Sequence, residues 1–292
     1  MSLIDIVRDQ TRQIQDLLKA GNIKELEDRF YTELEFGTGG LRGIIGVGTN
    51  RMNRYVVRKA TQGLANYIYK HGNPSKGVVI GRDSRIMSDV FAMETASVMA
   101  ANGIKVYFYE DIHPTPTVSF AVRELQAQAG VMITASHNPK EYNGFKICAK
   151  GGNPLGYPDG LTPIKLAMEN REFGKPKHRG KARHKDITAK YVAHVRKFKG
   201  KIKSMKVVVD AGNGVQGPII RKIFSRMPCK IIPLFFEPDG NFPNRPPNPI
   251  KQGALDRLSK AVRDNKASFG VAFDADGDRV VFVDEKGKAV RP

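Results

Sequence analysis

GVVIGRDSRIMSDVFAMETASVMAANGIKVYFY, residues 77–109, decides the architecture. Gly77 to Gly81 is a short apolar run, Ser88 to Asn102 carries apolar residues at helical spacing, Gly103 offers a helix stop, and Ile104 to Tyr109 is a second apolar run. Strand, helix and strand in that order lay two strands in parallel beneath a crossing helix. Upstream, Arg54 to His71 reads as a helix. Downstream, Pro114 and Pro116 punctuate a loop before a helix over Val118 to Leu125, and Ala127 to Thr134 reads as a further strand that runs into a loop. The first unit is therefore expected to be a parallel or mixed sheet covered by helices.

The rhythm restarts at Lys206 to Asp210 (KVVVD), a buried strand that enters the glycine-rich turn Ala211 to Gly217 and the helix Pro218 to Phe224. Ile231 to Phe236 reads as a strand, Asp239 to Pro249 (DGNFPNRPPNP) as an irregular loop, and Leu255 to Asn265 as a helix. Phe269 to Phe273 and Val280 to Asp284 read as two strands around a tight acidic loop. Two consecutive α/β domains are expected, over residues 1–188 and 189–292, the second reading as incomplete.

Composition agrees with this class. The chain has 292 residues, 40% of them hydrophobic, enough for about two packed domains and too many for a disordered chain. No stretch approaches the ~20 uninterrupted apolar residues of a membrane helix. The opening Met1 to Lys19 mixes charged and apolar residues at helical spacing and is not a secretory signal, so a cytoplasmic location is the default. Cys148 and Cys229 are too few for a disulfide framework or a zinc site and read as small buried hydrophobes. The net charge is +19, and residues 171–206 hold fourteen Lys/Arg against Glu172 and Asp186, hence +12 of it. A solvated linker and an exposed helix, with Tyr191, Val192, Val195 and Phe198 at helical spacing, account for this segment better than a nucleic-acid surface, because no nucleic-acid module accompanies it.

Three segments can carry chemistry. Thr134-Ala135-Ser136-His137-Asn138-Pro139 follows a strand, so Ser136 lies at the carboxyl end of a sheet strand, where open α/β sheets place ligands. A hydroxyl there can carry a covalent group, although a hydrophilic capping loop explains the run equally well, and the Gly-x-Ser-x-Gly elbow of serine hydrolases is absent. Asp274-Ala275-Asp276-Gly277-Asp278-Arg279 is the stronger signal: three alternating carboxylates repel one another unless a divalent cation neutralises them, and oxygen-only ligation suits Mg²⁺. A calcium loop is excluded, because Arg279 stands where the sharp turn needs Gly and Val280 to Val283 reads as strand. A haloacid-dehalogenase-type phosphatase with Asp274 as nucleophile leaves Asp278 unused and has too little chain after it. Phe36 to Gly43 (FGTGGLRG) is glycine-rich with Arg42, a weak anion-loop signal that lacks a P-loop ending.

A hydroxyl carrier, a cation site and an anion loop are the parts of phosphoryl transfer. Here the sequence resembles the α-D-phosphohexomutases, the family of phosphoglucomutase and phosphomannomutase. FGTGGLRG at 36–43, GRDSR at 81–85, HPTPTVSFAV at 113–122, ITASHNPKEYNGFKI at 133–147, VVVDAGNGVQG at 207–217, PDGNFPNRPPNP at 238–249 and FDADGDR at 273–279 carry the likeness. The entry at Leu34 to Gly37 and TNRMN at 49–53 look most like the bacterial phosphoglucomutase-type branch.

The resemblance implies that Ser136 holds the transferable phosphoryl group and joins Asp274, Asp276 and Asp278 around Mg²⁺. It implies Lys146 as general acid/base, Arg42 and Arg279 beside the reacting phosphate, and His137 in the same loop. Asp83 and Arg85 fall near the site in such proteins, where an ion pair bracing the loop accounts for them as well. The implied reaction interconverts a hexose 1-phosphate and 6-phosphate through a hexose 1,6-bisphosphate, with glucose first and mannose or a pentose as alternatives. The family's sugar-recognition and last phosphate-binding domains have no counterpart before residue 292, so a fragment with little activity of its own, prone to self-association, is expected. A small sugar phosphate is the expected partner, with no membrane; the competing class is a basic nucleic-acid-binding module. All of this requires Ser136 and residues 274–278 to converge.

Overall fold

The computed structural model describes residues 3–37, 40–156, 160–169 and 180–290. Thr38 and Gly39 of the glycine-rich stretch, the first part of the basic segment and the last two residues lie outside them. The strands are β1 (Phe36–Gly37), β2 (Gly40–Ile44), β3 (Val78–Arg82), β4 (Val106–Phe108), β5 (Ala129–Ile133), β6 (Tyr142–Ala149), β7 (Ala182–His184), β8 (Met205–Asp210), β9 (Cys229–Leu234), β10 (Phe269–Phe273) and β11 (Val280–Val283). Among the described residues they form two sheets, ordered β1-β2-β6-β5-β3-β4-β7 and β11-β10-β8-β9.

Alternation of side chains across each strand explains the layers. Val78 and Ile80 of β3, with Val131 and Ile133 of β5, point to a core shared with the helices Arg54–His71 and Ser88–Ala101, through Val57, Leu64, Phe91 and Met99. Val79 and Met132 point the other way, to Val118 and Val122 of the helix Thr115–Glu124. Strands buried on both faces read as continuous apolar runs, which is why β3 and β5 are legible. The helix Arg54–His71 begins where the Asn53 side chain accepts the Tyr55 and Val56 N–H groups, and Gly103, at φ +73°, follows the helix Ser88–Ala101.

The second sheet repeats this logic. Val207, Val209 and Val271 meet Ile219, Ile220 and Ile223 of the helix Gln216–Phe224, while Val208 and Ala272 meet Leu258 and Val262 of the helix Asp256–Asp264. Strand β8 runs parallel to β9 and β10, and β11 returns antiparallel to β10.

Several features depart from the sequence reading. β6 runs antiparallel to β2 and β5, where only a loop after residue 134 is expected; Asn143, Gly144 and Lys146 break its apolar pattern. In the basic segment, β7 adds a fully exposed edge strand parallel to β4, ahead of the helix Thr188–Arg196. Tyr191, Val192 and Val195 pack against the second core, whereas Phe198 is 76% exposed. Cys148 is buried and its thiol is pushed up to about 11 by that burial, but Cys229 is only half-buried.

Just before the helix Thr115–Glu124, His113 is 7% exposed and lies against Tyr109, with ring centroids 4.5 Å apart. Burial lowers its pKa below the ordinary 6.5; Asp186 and Asp111 oppose the shift, and Lys222 and Arg82 add to it. The unfolded chain therefore binds this proton more readily, so the His113 contribution is complete above about pH 6.5 and is lost as pH falls towards the depressed value. His113→Asn should flatten the decline of the urea-unfolding free energy between about pH 7 and pH 5 relative to wild type; an unchanged slope would contradict this assignment.

Candidate active site at the junction of the two sheets

Strand β5 ends at Ile133, and the loop 134–141 turns the chain into antiparallel β6, with Met132 opposite Lys146. Lys146 and Cys148 lie two apart on one strand and so share the face covered by the helix Thr115–Glu124. Ser136 adopts φ +53°, a left-handed conformation uncommon for a residue with a Cβ, and is 0% exposed. The Ser136 N–H donates to Thr134 Oγ1 at 2.8 Å.

Arg85 holds this loop. Its Nη1 donates to the carbonyls of Pro139 (2.7 Å) and Tyr142 (3.0 Å), and its Nη2 to those of Ser136 (2.7 Å) and Asn138 (2.6 Å). Asp83 lies 3.3 Å from Arg85 Nε and accepts from the Ser88 hydroxyl at 2.7 Å. Burial raises the Asp83 pKa and lowers that of Arg85, while their mutual attraction opposes both shifts. The pair is wholly buried, and its place beneath the backbone makes it a brace for the serine loop.

The acidic loop is the connection between β10 and β11, where Phe273 pairs with Val280. Asp274 Oδ1 accepts the N–H groups of Gly277 (3.0 Å) and Arg279 (3.2 Å), and Gly277 turns the chain at φ +70°. The other oxygen of Asp274 reaches across: Ser136 Oγ donates to Oδ2 at 2.9 Å. Lys146 Nζ donates to Asp276 at 2.7 Å and Asp278 at 2.6 Å, and the Thr115 hydroxyl and N–H donate to the Asp276 side chain (2.6 Å) and carbonyl (2.9 Å). One ligand oxygen from each of Asp274, Asp276 and Asp278 lies within 4.8 Å of the others.

The charges follow from this crowding. Burial, then repulsion from Asp276 and Asp278, pushes the Asp274 carboxyl up to about 8. Burial also opposes ionisation of Asp276, but the Lys146 ammonium together with hydrogen bonds from Thr115 and Asp274 outweighs it and holds that carboxyl below its ordinary value. Burial pulls Lys146 down, yet Asp276 and Asp278 together leave it above its ordinary 10.5. Arg42 donates to Asn138 at 3.3 Å and, with Lys146, Asp278 and Arg279, lines a cavity of about 290 Å³. Burial, then the positive charges of Arg279 and Arg42, lowers the His137 pKa, favouring a neutral imidazole.

The structure thus gathers Ser136, Lys146, Asp274, Asp276 and Asp278 by direct contact, and Arg42 and Arg279 around the adjoining cavity. Sequence reasoning misses Thr115, whose only signal is its place between two prolines. It also misses Arg245, which donates to Asp210 (2.9 Å) and to the Phe273 carbonyl (2.6 Å), directly beneath Asp274.

Two family models match the chain: phosphoglucomutase/phosphomannomutase α/β/α domain I over residues 33–166 and domain II over residues 189–287. The chain belongs to the phosphoglucomutase/phosphomannomutase family. It is 35% identical over 277 residues to a phosphoglucomutase of Staphylococcus haemolyticus, covering 88% of this chain and 50% of that protein. A phosphomannomutase of Vibrio cholerae is 32% identical over 256 residues, covering 85% of this chain and 54% of its own. A crystal structure of a phosphoglucomutase/phosphomannomutase family protein from Burkholderia thailandensis superposes with a TM-score of 0.78 at 29% identity, covering 88% of this chain and 56% of that one. The chain spans about half the length of the curated relatives it matches.

Lys keeps a charge but only three donors on one nitrogen, so Arg85→Lys cannot reproduce the four carbonyl contacts of the fork. The expected cost is about 2–4 kcal/mol in urea unfolding at neutral pH, and a loss below about 0.5 kcal/mol would show that the loop does not depend on this brace.

Proposed function

We propose that this chain carries the phosphoserine and cation-binding parts of an α-D-phosphohexomutase. The observation that carries the reading is the hydrogen bond from Ser136 Oγ to Asp274 Oδ2, 2.9 Å long, between residues 138 positions apart. A lone hydroxyl loop or a lone acidic turn has ordinary explanations; their junction on two separate sheets does not.

The donor set fits Mg²⁺. Asp274, Asp276 and Asp278 supply only oxygen ligands, and the buried Asp276 Oδ1 has no hydrogen-bond partner among the described residues. Ser136, Asp274, Asp276 and Asp278 would hold the ion, which supplies neutralisation of the carboxylates and of negative charge on a phosphoryl group. Phosphoserine 136 then transfers its group to the free 6-hydroxyl of a hexose 1-phosphate: the Ser Oγ–P bond breaks, the sugar O6–P bond forms, and the hydroxyl proton passes to Lys146. That side chain can take it only as the neutral amine, once the contacts with Asp276 and Asp278 that hold it as an ammonium are released and burial favours the uncharged form. The resulting hexose 1,6-bisphosphate, turned around, returns its 1-phosphoryl group to Ser136 and leaves as the 6-phosphate. Arg42 and Arg279 bind the phosphoryl oxygens as charge develops, and His137, neutral among these cations, adds a hydrogen-bonding edge. Because Ser136 is buried against Asp274, a sugar phosphate reaches it only when that contact opens.

Glucose phosphate is the first substrate in this reading, with mannose or pentose phosphates as alternatives, and the location is cytoplasmic. Exposed Ile250, Val280 and Phe282 support self-association of the chain as it stands. The basic residues 181–206 serve the sheet edge and a packed helix in this reading, not nucleic acid.

Incubating the purified chain with glucose 1,6-bisphosphate and Mg²⁺, followed by intact-mass measurement and peptide mapping, should add one phosphate to Ser136 and none to Ser136→Ala. Phosphate trapped on Asp274 would decide for a phosphatase, and no phosphorylation under these conditions would contradict the mutase reading.

A further inference from the structure

The proline-rich loop 239–249 sends Arg245 beneath the acidic loop but no side chain to Ser136 or the three acids, yet it touches both halves of the site. On the second sheet's side it is pinned by hydrogen bonds. The Asp239 N–H donates to the Asn213 carbonyl at 2.9 Å, and Asn244 Nδ2 donates to Asn213 Oδ1 at 3.0 Å. Arg245 then ties the loop to Asp210 and to the Phe273 carbonyl, one residue before Asp274.

On the first sheet's side the contacts are made by two residues. Gly240 lies so close to the backbone of Ser84 and Arg85 that a Cβ there would stand 2.4 Å from the Ser84 carbonyl oxygen. Phe242, 7% exposed and at φ +49°, sets its ring 5.0 Å from the guanidinium carbon of Arg85. A left-handed φ at a bulky residue is unfavourable and persists only where surrounding contacts impose it. Here the Phe242 N–H donates back to the Asp239 carbonyl at 3.0 Å, which closes a turn and delivers the ring to Arg85. The same Arg85 holds the Ser136 carbonyl at 2.7 Å.

We propose that Gly240 and Phe242 are positioning residues, and that loop 239–249 is a strap setting the separation at which Ser136 reaches Asp274. One end of the strap fixes the backbone beneath Asp274 through Arg245; the other fixes the backbone of Ser136 through Phe242 and Arg85. An aromatic face suits this task because it holds a guanidinium without consuming any of the donors that Arg85 spends on the serine loop. The proposal rests on the mutase reading for its catalytic consequence, while the docking it describes can be measured without it.

The Thr115 N–H, bonded to the Asp276 carbonyl at 2.9 Å, joins the two halves, so its hydrogen exchange reports their docking. In ¹⁵N-labelled full chain, Phe242→Ala should speed Thr115 exchange roughly 10- to 30-fold, while amides of β5 and β10 keep their rates. Phe242→Leu, which keeps bulk without the aromatic face, should speed it by a smaller factor, and Phe242→Tyr should restore the wild-type rate. Phosphate transfer from glucose 1,6-bisphosphate to Ser136 should slow in the same order across the three variants. Unchanged Thr115 exchange in Phe242→Ala or Phe242→Leu would overturn the proposal, as would equal acceleration of the β5 and β10 amides, the mark of general destabilisation. A wild-type chain that takes no phosphate would remove the mutase reading and leave the Thr115 comparison to decide the strap.

Discussion

Three carboxylates with oxygens within 4.8 Å of one another are the constraint around which the junction of the two sheets is built. Like charges this close repel strongly, and burial of Asp274 and Asp276 removes the water that would otherwise screen them, while Asp278 stays exposed. Lys146 offsets the repulsion at Asp276 and Asp278, the loop's own N–H groups serve one oxygen of Asp274, and a serine hydroxyl from the other sheet serves the second. The acidic loop is thus not self-sufficient: part of what makes its charge tolerable comes from the first sheet. A divalent cation would complete the same logic, since it would bring more positive charge than one ammonium to the same oxygens.

Two buried arginines translate this demand into backbone geometry. Arg85 gathers the carbonyls of the serine loop into a fixed curve, and Arg245 ties the end of β10 to the end of β8. Each has a buried aspartate beside it, Asp83 and Asp210. Buried ion pairs are weak sources of net stability but strong determinants of arrangement, because removing one partner strands a charge. Their position at the carboxyl ends of strands, directly under the serine and acidic loops, fixes the backbone atoms of those loops.

Much of this was legible in the sequence. β3 and β10 are continuous apolar runs because both faces of each strand are covered, and the acidic loop announces itself by charge alone. β6 is obscured because Asn143 bonds the Ile86 carbonyl and Lys146 reaches the acids, so residues chosen for the site interrupt the pattern of the strand. β7 has no apolar face to betray it, since an exposed edge strand needs none. Thr115, Phe242 and Arg245 were not legible as site neighbours, because their partners lie far away in the chain and only docking brings them together. The single Arg among the prolines of residues 239–249 is the one hint that such a loop grips something buried.

The convergence of Ser136 with residues 274–278 around one ion is tested most directly by paramagnetic broadening. Substoichiometric Mn²⁺ added to the ¹⁵N-labelled chain should broaden the amide signals of residues 135–138 and 274–278 together, with Mg²⁺ reversing both. Broadening confined to residues 274–278, or spread over exposed carboxylates without a focus on either loop, would contradict the account.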